Sequence, residues 1–173
     1  MPQEISLKLG HYDDIFSDFD MREYSKRALS VDFISEIRRA SLDKSNDGIE
    51  LILCVPESGR SARDEAVIGE RLAGHFEKHY RLLLKDKRKT IGQGVLMIIL
   101  GVISMVVATL ILFGDQEKNL LKSFLVVFLE PAGWFLLWDG AEQILFSSRQ
   151  INPELTFYRK MFASRGNIRF KSY

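Results

Sequence analysis

Apolar residues gather in two blocks in the second half of the chain, and polar residues lie before and after them. The first block, 91–113 (IGQGVLMIILGVISMVVATLILF), carries no charged residue over about 23 positions. A helix of that length reaches roughly 35 Å, which is enough to cross the hydrocarbon core of a bilayer. A chain of 173 residues could hardly enclose so long an apolar helix in a soluble core. The block therefore predicts a membrane span.

The second apolar block, 120–140, is less uniform, because Glu130 and Pro131 interrupt it. It is accepted as a span because the segment 114–119 (GDQEKN) is too short for the chain to return in any way other than a direct reversal. The two blocks thus predict a helical transmembrane hairpin, with spans at about 91–113 and 120–140 inside a region of 90–146.

The flanking segments alternate between strand and helix periodicity, which indicates a folded domain. Apolar residues alternate with polar ones at 4–9 and 168–171, and 49–55 is a short apolar run; all three patterns are typical of strands. Ser30 is a suitable N-cap for a helix through about Leu42 that covers the sheet. We expect one small sheet built from both ends of the chain.

Two further helices are predicted around the hairpin. Ser61 has the capping-box spacing, and no proline or glycine cluster separates the helix that it starts from the first span. We expect one long helix from Ser61 to Phe113. After the second span, Asn152-Pro153-Glu154 predicts a new helix start, with the helix running to about Ser164.

The predicted fold class is α+β: a transmembrane hairpin of two spans with a small cytosolic α/β domain of about three short strands. The long helix continues from that domain into the first span. Residues 1–89 form the cytosolic domain and its basic end, 90–146 form the hairpin, and 147–173 complete the soluble domain.

Basic residues near the spans predict the orientation. Four of them form a cluster just before the first span, called here the basic collar: Lys85, Lys87, Arg88 and Lys89. Further basic residues follow the second span, among them Arg149, Arg159 and Lys160. Cytosolic flanks are enriched in such residues, so both termini are expected in the cytosol of a multi-pass protein of the cell (inner) membrane. The single cysteine, Cys54, excludes an internal disulfide and fits a reducing compartment. The overall composition, 46% hydrophobic with a net charge of +1, is that of an ordinary soluble domain, because the average hides the two apolar blocks.

The basic residues also predict what the chain binds. The basic collar lies where anionic lipid headgroups are expected, and each such charge contributes about 1 kcal/mol near the surface. Trp138 is expected to act as an interface anchor at the cytosolic boundary. The predicted partners are therefore lipid and further copies of the chain rather than nucleic acid, while any small-molecule ligand is unknown.

Small and polar residues within the spans form the candidate functional set. Gly94, Gly101 and Ala108 recur every seven residues, and this stripe allows close helix packing, either between copies or against the second span. Glu130 is expected near the depth of Ser104, with protein or water around it. Beside Pro131, which lacks a backbone N–H, Glu130 could bridge a free carbonyl or Ser104, or it could line an ion path. Both alternatives stay open.

Enzyme chemistry finds little support in the sequence. His75 and His79 lie one helical turn apart and could share a metal, but the HExxH pattern and a third ligand at a recognisable distance are missing. We therefore predict no cofactor and no metal, and we do not expect an enzyme.

Two stretches carry a resemblance to known proteins. SKRALSVDFISEIRRA (25–40) and LEPAGWFLLWDG (129–140) resemble a group of uncharacterised prokaryotic two-span membrane proteins. The resemblance implies the same architecture and assigns no functional residue. The expected function is a homo-oligomeric membrane assembly, either scaffold or channel-like. The alternatives are an accessory subunit of a larger complex and, less favoured, a membrane-anchored enzyme.

Overall fold

A computed structural model describes residues 3–44, 49–114, 119–164 and 166–173. The chain divides into two compact units. The first unit combines Met1–Leu82 with Glu154–Tyr173, and the second is Leu83–Pro153. Most of the predicted turn at 114–119 lies outside the described residues.

The first unit is built on a small parallel sheet. Its strands are β1 (Gln3–Lys8), β2 (Ile49–Val55) and β3 (Ile168–Ser172), in the order β1-β2-β3. Both pairings are parallel. The prediction of three short strands from the two ends of the chain is confirmed.

The central strand is covered on both faces. Leu51, Ile52 and Leu53 follow one another in β2, and all are buried. Because successive side chains of a strand point to opposite faces, burial of consecutive residues requires cover on each side. The helix after Ser30 was the only predicted cover, so that prediction was incomplete.

Helix α1 (Val31–Ser41) begins as predicted. The Ser30 hydroxyl accepts a hydrogen bond from the Phe33 backbone N–H at 3.5 Å. This contact satisfies one of the amide groups that a helix start leaves without an internal partner. Phe33 and Ile37 then lie one turn apart and are both buried in the core.

Helix α2 (Ala62–Gly114) contains 53 residues and confirms the predicted long helix. The Ser61 hydroxyl accepts from the Asp64 backbone N–H at 3.3 Å and caps the first turn. In the first unit this helix buries Ile68, Leu72 and Phe76, which recur at i, i+4 and i+8.

The second long helical segment does not end where the sequence predicts. Helix α3 (Leu120–Glu142) passes through a π-helical turn (Gln143–Ser147) into α4 (Ser148–Ala163). Pro153 therefore lies inside α4, and the predicted helix start at Asn152-Pro153-Glu154 is wrong. Extending an existing helix is cheaper than nucleating a new one, so the chain loses one backbone hydrogen bond at the proline and continues.

Both long helical segments are apolar enough to cross a membrane. They are Ala62–Gly114 and Leu120–Ala163, and their most apolar stretches are only 11% and 6% buried. Large apolar side chains consequently point outward along α2 and α3, including Leu110, Phe113, Leu120, Val127 and Phe135. Such a surface is unfavourable in water and suits a lipid environment.

Candidate functional site

The two helices of the second unit pack antiparallel through facing glycines. A Cβ atom on Gly94 would lie 2.7 Å from the Gly140 carbonyl oxygen, and one on Gly101 would lie 2.9 Å from the Gly133 carbonyl oxygen. Backbone therefore meets backbone at both points, which only glycine permits.

This packing uses the stripe of small residues within the chain. Gly94 and Gly101 contact α3, and Ala108 is buried farther along the same face. Of the two alternatives for the stripe, the structure assigns these glycines to packing between α2 and α3. These glycines are therefore not available for a contact between copies.

Glu130 lies exposed in the apolar part of α3. It makes no hydrogen bond or ion pair with any residue that the structure describes, and Ser104, which is part-buried, is not joined to it. Pro131 is also exposed and lies inside the helix, whose regular course continues beyond it. A carboxyl group thus stands on the outer surface of α3 within a stretch, 123–138, that carries no other charged residue.

The predicted interface anchors lie near the end of α3 and just before the apolar part of α2. Trp138 is 68% exposed and stacks on Trp134, with ring centroids 6.3 Å apart. In the collar, the Lys87 ammonium group donates to the Asn152 side-chain oxygen at 2.6 Å. Lys85, Arg88 and Lys89 are exposed and can reach solvent or headgroups.

The two histidines of α2 contact each other within an aromatic group in the first unit. The ring centroids of His75 and His79 are 4.2 Å apart, and His79 stacks on Tyr158 at 5.0 Å. No group of three or more His, Cys, Asp or Glu that could hold a metal ion occurs within the described ranges. The pair is thus packed among aromatic rings.

Burial lowers the pKa of His75 to about 4, and the neighbouring His79 contributes in the same direction. The His75 Nε2 atom is buried without a hydrogen-bond partner in the described part of the chain. A proton on this ring would place a charge in a poorly solvated position, so the folded protein favours the neutral imidazole.

We expect the first unit to lose stability as the pH falls from about 6.5 towards 4. In this range the unfolded chain binds a proton at His75 that the folded chain refuses. One pKa unit corresponds to about 1.4 kcal/mol, and partial exposure reduces the loss to the order of 1 kcal/mol at pH 5. Thermal unfolding of the full chain between pH 5 and 7 measures it. His75→Phe should flatten the dependence, whereas His11→Phe, at an exposed position, should not.

The carboxyl edge of the parallel sheet, where ligands often bind in such folds, holds a second polar group. The Arg60 guanidinium donates to both carboxylate oxygens of Glu65 at 2.8 and 2.9 Å, and the Tyr12 hydroxyl donates to Glu65 at 2.8 Å. Arg60 chiefly lowers the pKa of Glu65. These side chains are hydrogen-bonded to one another and connect the start of α2 with the loop after β1.

Sequence analysis missed one further set of residues. Asp139 and Glu142 lie three positions apart near the end of α3, and aromatic side chains surround them at helical spacing. The signal was present as carboxylates at i and i+3 with Phe135 and Phe146 at i−4 and i+7 of Asp139.

Comparisons with protein-family models, with curated proteins and with solved structures find no match to this chain.

Proposed function

We propose that this chain is a two-span protein of the cell (inner) membrane that self-associates through its spans into a scaffold or channel-like assembly. The α/β unit and both termini lie in the cytosol. One observation carries the proposal: Glu130 is exposed in the apolar part of α3 and has no polar partner among the described residues.

A carboxyl group that faces lipid is energetically unfavourable. Placing one near the centre of a bilayer costs about 2.5–3.5 kcal/mol on insertion scales. The hairpin itself does not remove this cost: α2 contacts α3 at Gly133, three residues after Glu130, but no described residue of α2 forms a hydrogen bond or ion pair with the carboxyl group. A second copy can supply a hydrogen-bonding partner at the same depth, since each copy brings its own Glu130.

The surface around Glu130 defines the proposed interface. Val127 lies three residues before it and Trp134 four residues after it, so all three share one face of α3. Val127 is 70% exposed and Trp134 is 54% exposed, so both are free to contact a neighbour. Phe128 and Phe135 point away from this face and are equally accessible.

Orientation rests on the basic collar and on Trp138. The collar and the basic residues after the second span favour the cytosolic side, because positively charged flanks are retained there. An exposed indole beside them suits the boundary between headgroups and hydrocarbon.

Cysteine cross-linking in membranes tests the interface. In a Cys54→Ser background, Val127→Cys and Trp134→Cys are expected to form disulfide-linked dimers on mild oxidation. Phe128→Cys and Phe135→Cys are the matched controls, on exposed positions about 100° further round the helix, and should stay monomeric. A membrane-impermeant thiol reagent added to intact cells should also leave a cysteine at position 58 unlabelled.

Three outcomes would contradict the proposal. Equal cross-linking on both faces would mean random collision, and labelling at position 58 would reverse the orientation. If no cross-links form and the mildly solubilised protein has the mass of one chain, the result would favour an accessory subunit whose partner is a different protein.

A further inference from the structure

A cleft of about 400 Å³ opens on the surface of α3 where it meets the π-helical turn. Three of its seven lining residues carry aromatic rings: Phe135, Trp138 and Phe146. Two carboxyl groups, those of Asp139 and Glu142, share the same wall. An apolar cleft with a few polar groups on one side has the composition of a ligand site.

The carboxyl group of Asp139 is held in place. The Gln143 side-chain amide donates to Asp139 Oδ2 at 3.3 Å and also lies 3.3 Å from the Met97 sulfur atom. Gln143 is the first residue of the π-helical turn, and such turns occur frequently at functional sites. The cleft therefore has a fixed acidic group rather than only mobile surface carboxylates.

No basic side chain among the described residues forms an ion pair with either carboxylate. Arg149 is the next basic residue along the sequence, and the basic collar lies on the neighbouring helix α2. Gly140 contacts Gly94, which is five residues beyond Lys89, or about 7.5 Å along the helix. The cleft thus lies close to the depth of lipid headgroups, and its charge is opposite to that of the collar.

We propose that this cleft binds the headgroup of a zwitterionic phospholipid that carries a primary ammonium group, as in phosphatidylethanolamine. The inference rests on the membrane insertion proposed above, and it does not require self-association. An ammonium group offers three N–H donors, and the carboxylates of Asp139 and Glu142 offer only acceptors. Trp138 adds a cation–π surface, and the apolar wall accommodates the glycerol and upper acyl region.

Comparison with a choline headgroup distinguishes this proposal from charge attraction alone. It keeps the positive charge and the aromatic contact but has no N–H to donate. The collar by itself would favour anionic lipids such as phosphatidylglycerol. Selection of ethanolamine over both choline and glycerol headgroups is therefore specific to the cleft.

The test is lipid retention by the full chain. Protein reconstituted in nanodiscs of phosphatidylethanolamine, phosphatidylcholine and phosphatidylglycerol in equal parts is transferred to mild detergent, and retained lipid is measured by native mass spectrometry. We expect about fivefold more ethanolamine than choline lipid, which corresponds to about 1 kcal/mol. The double variant Asp139→Asn with Glu142→Gln should abolish this preference.

Two variants keep the result interpretable. Asp86→Asn removes an exposed carboxylate that lies between residues of the basic collar and outside the cleft. This variant should retain the preference for the ethanolamine lipid. Trp138→Leu keeps both carboxylates and should reduce retention of ethanolamine and choline lipids together. Equal retention of the two lipids by the native chain, or a preference unchanged in the double variant, overturns the proposal.

Alkaline extraction of membranes separates failure of this inference from failure of the proposed function. A chain released into the supernatant at high pH is not inserted, and both proposals then fail. A chain that stays in the membrane pellet without any ethanolamine preference refutes the cleft alone.

Discussion

Glu130→Ala is expected to dissociate the solubilised assembly into smaller species, whereas Glu130→Gln is expected to preserve it. Alanine removes the hydrogen-bonding group that the exposed face presents to a second copy, while glutamine keeps donor and acceptor atoms at the same position. A hydrogen bond between spans contributes about 1–2 kcal/mol in model peptides, or about 5- to 30-fold in association per contact.

Native mass spectrometry in detergent measures this effect. Glu142→Ala provides the control, because it removes an exposed carboxyl group from the same helix, outside the proposed interface. Dissociation by both variants, or by neither, would contradict a specific role of Glu130 in assembly.

The same pair of variants separates a structural role of Glu130 from a conducting one. Glutamine cannot ionise, so a ring of Glu130 side chains that conducts ions or protons should lose its flux in Glu130→Gln while the assembly persists. Flux is measured in liposomes that contain the native chain or the variant. Absence of flux in both, together with dissociation of Glu130→Ala, would assign the carboxyl group to packing and exclude the channel-like form of the assembly.

Gly140→Leu is expected to prevent the close packing of α2 and α3. A Cβ atom at this position would lie 2.6 Å from the Gly94 carbonyl oxygen and 3.0 Å from the Ile98 backbone nitrogen. Backbone atoms cannot move aside as a flexible side chain can, so the helices must separate. Overpacking of this kind typically costs 1–3 kcal/mol, and we expect the upper part of that range.

The yield of monodisperse protein and its unfolding temperature in detergent measure the effect. Gly92→Leu is the matched control: it introduces the same side chain on α2, at a glycine with no neighbouring atom within 4 Å. If both variants behaved alike, the close contact between Gly94 and Gly140 would not contribute to stability. Because the contact lies within the chain, Gly140→Leu should also lower the stability of a single hairpin in dilute detergent.

Much of the local structure follows from the sequence. Strand β2 was predicted at its observed limits, Ile49–Val55, because its apolar run is short and ends at Pro56. The start of α1 was predicted from Ser30, whose hydroxyl accepts a hydrogen bond from the backbone of Phe33, three residues further along. These features depend on residues within one or two turns of each other, so a single stretch of sequence contains their cause.

Contacts between distant segments were not predictable in the same way. The stripe of Gly94 and Gly101 fits a neighbouring copy or the second span equally well, and only the observed contact with Gly140 and Gly133 selects the second span. The continuation of the helix through Pro153 has a similar origin. A proline next to a polar residue looks like a helix start when the helix already running from α3 is not considered.

The sequence by itself therefore determined the two apolar segments, the long helix α2 and the three strands, because hydrophobic periodicity and capping are local. The tertiary structure alone decided the parallel strand order, the use of the glycines within the chain and the exposure of Glu130 on the outer face of α3. Each of these depends on which surfaces meet across a long stretch of chain. Periodicity indicates that a residue lies on an apolar face, but it does not indicate what that face contacts.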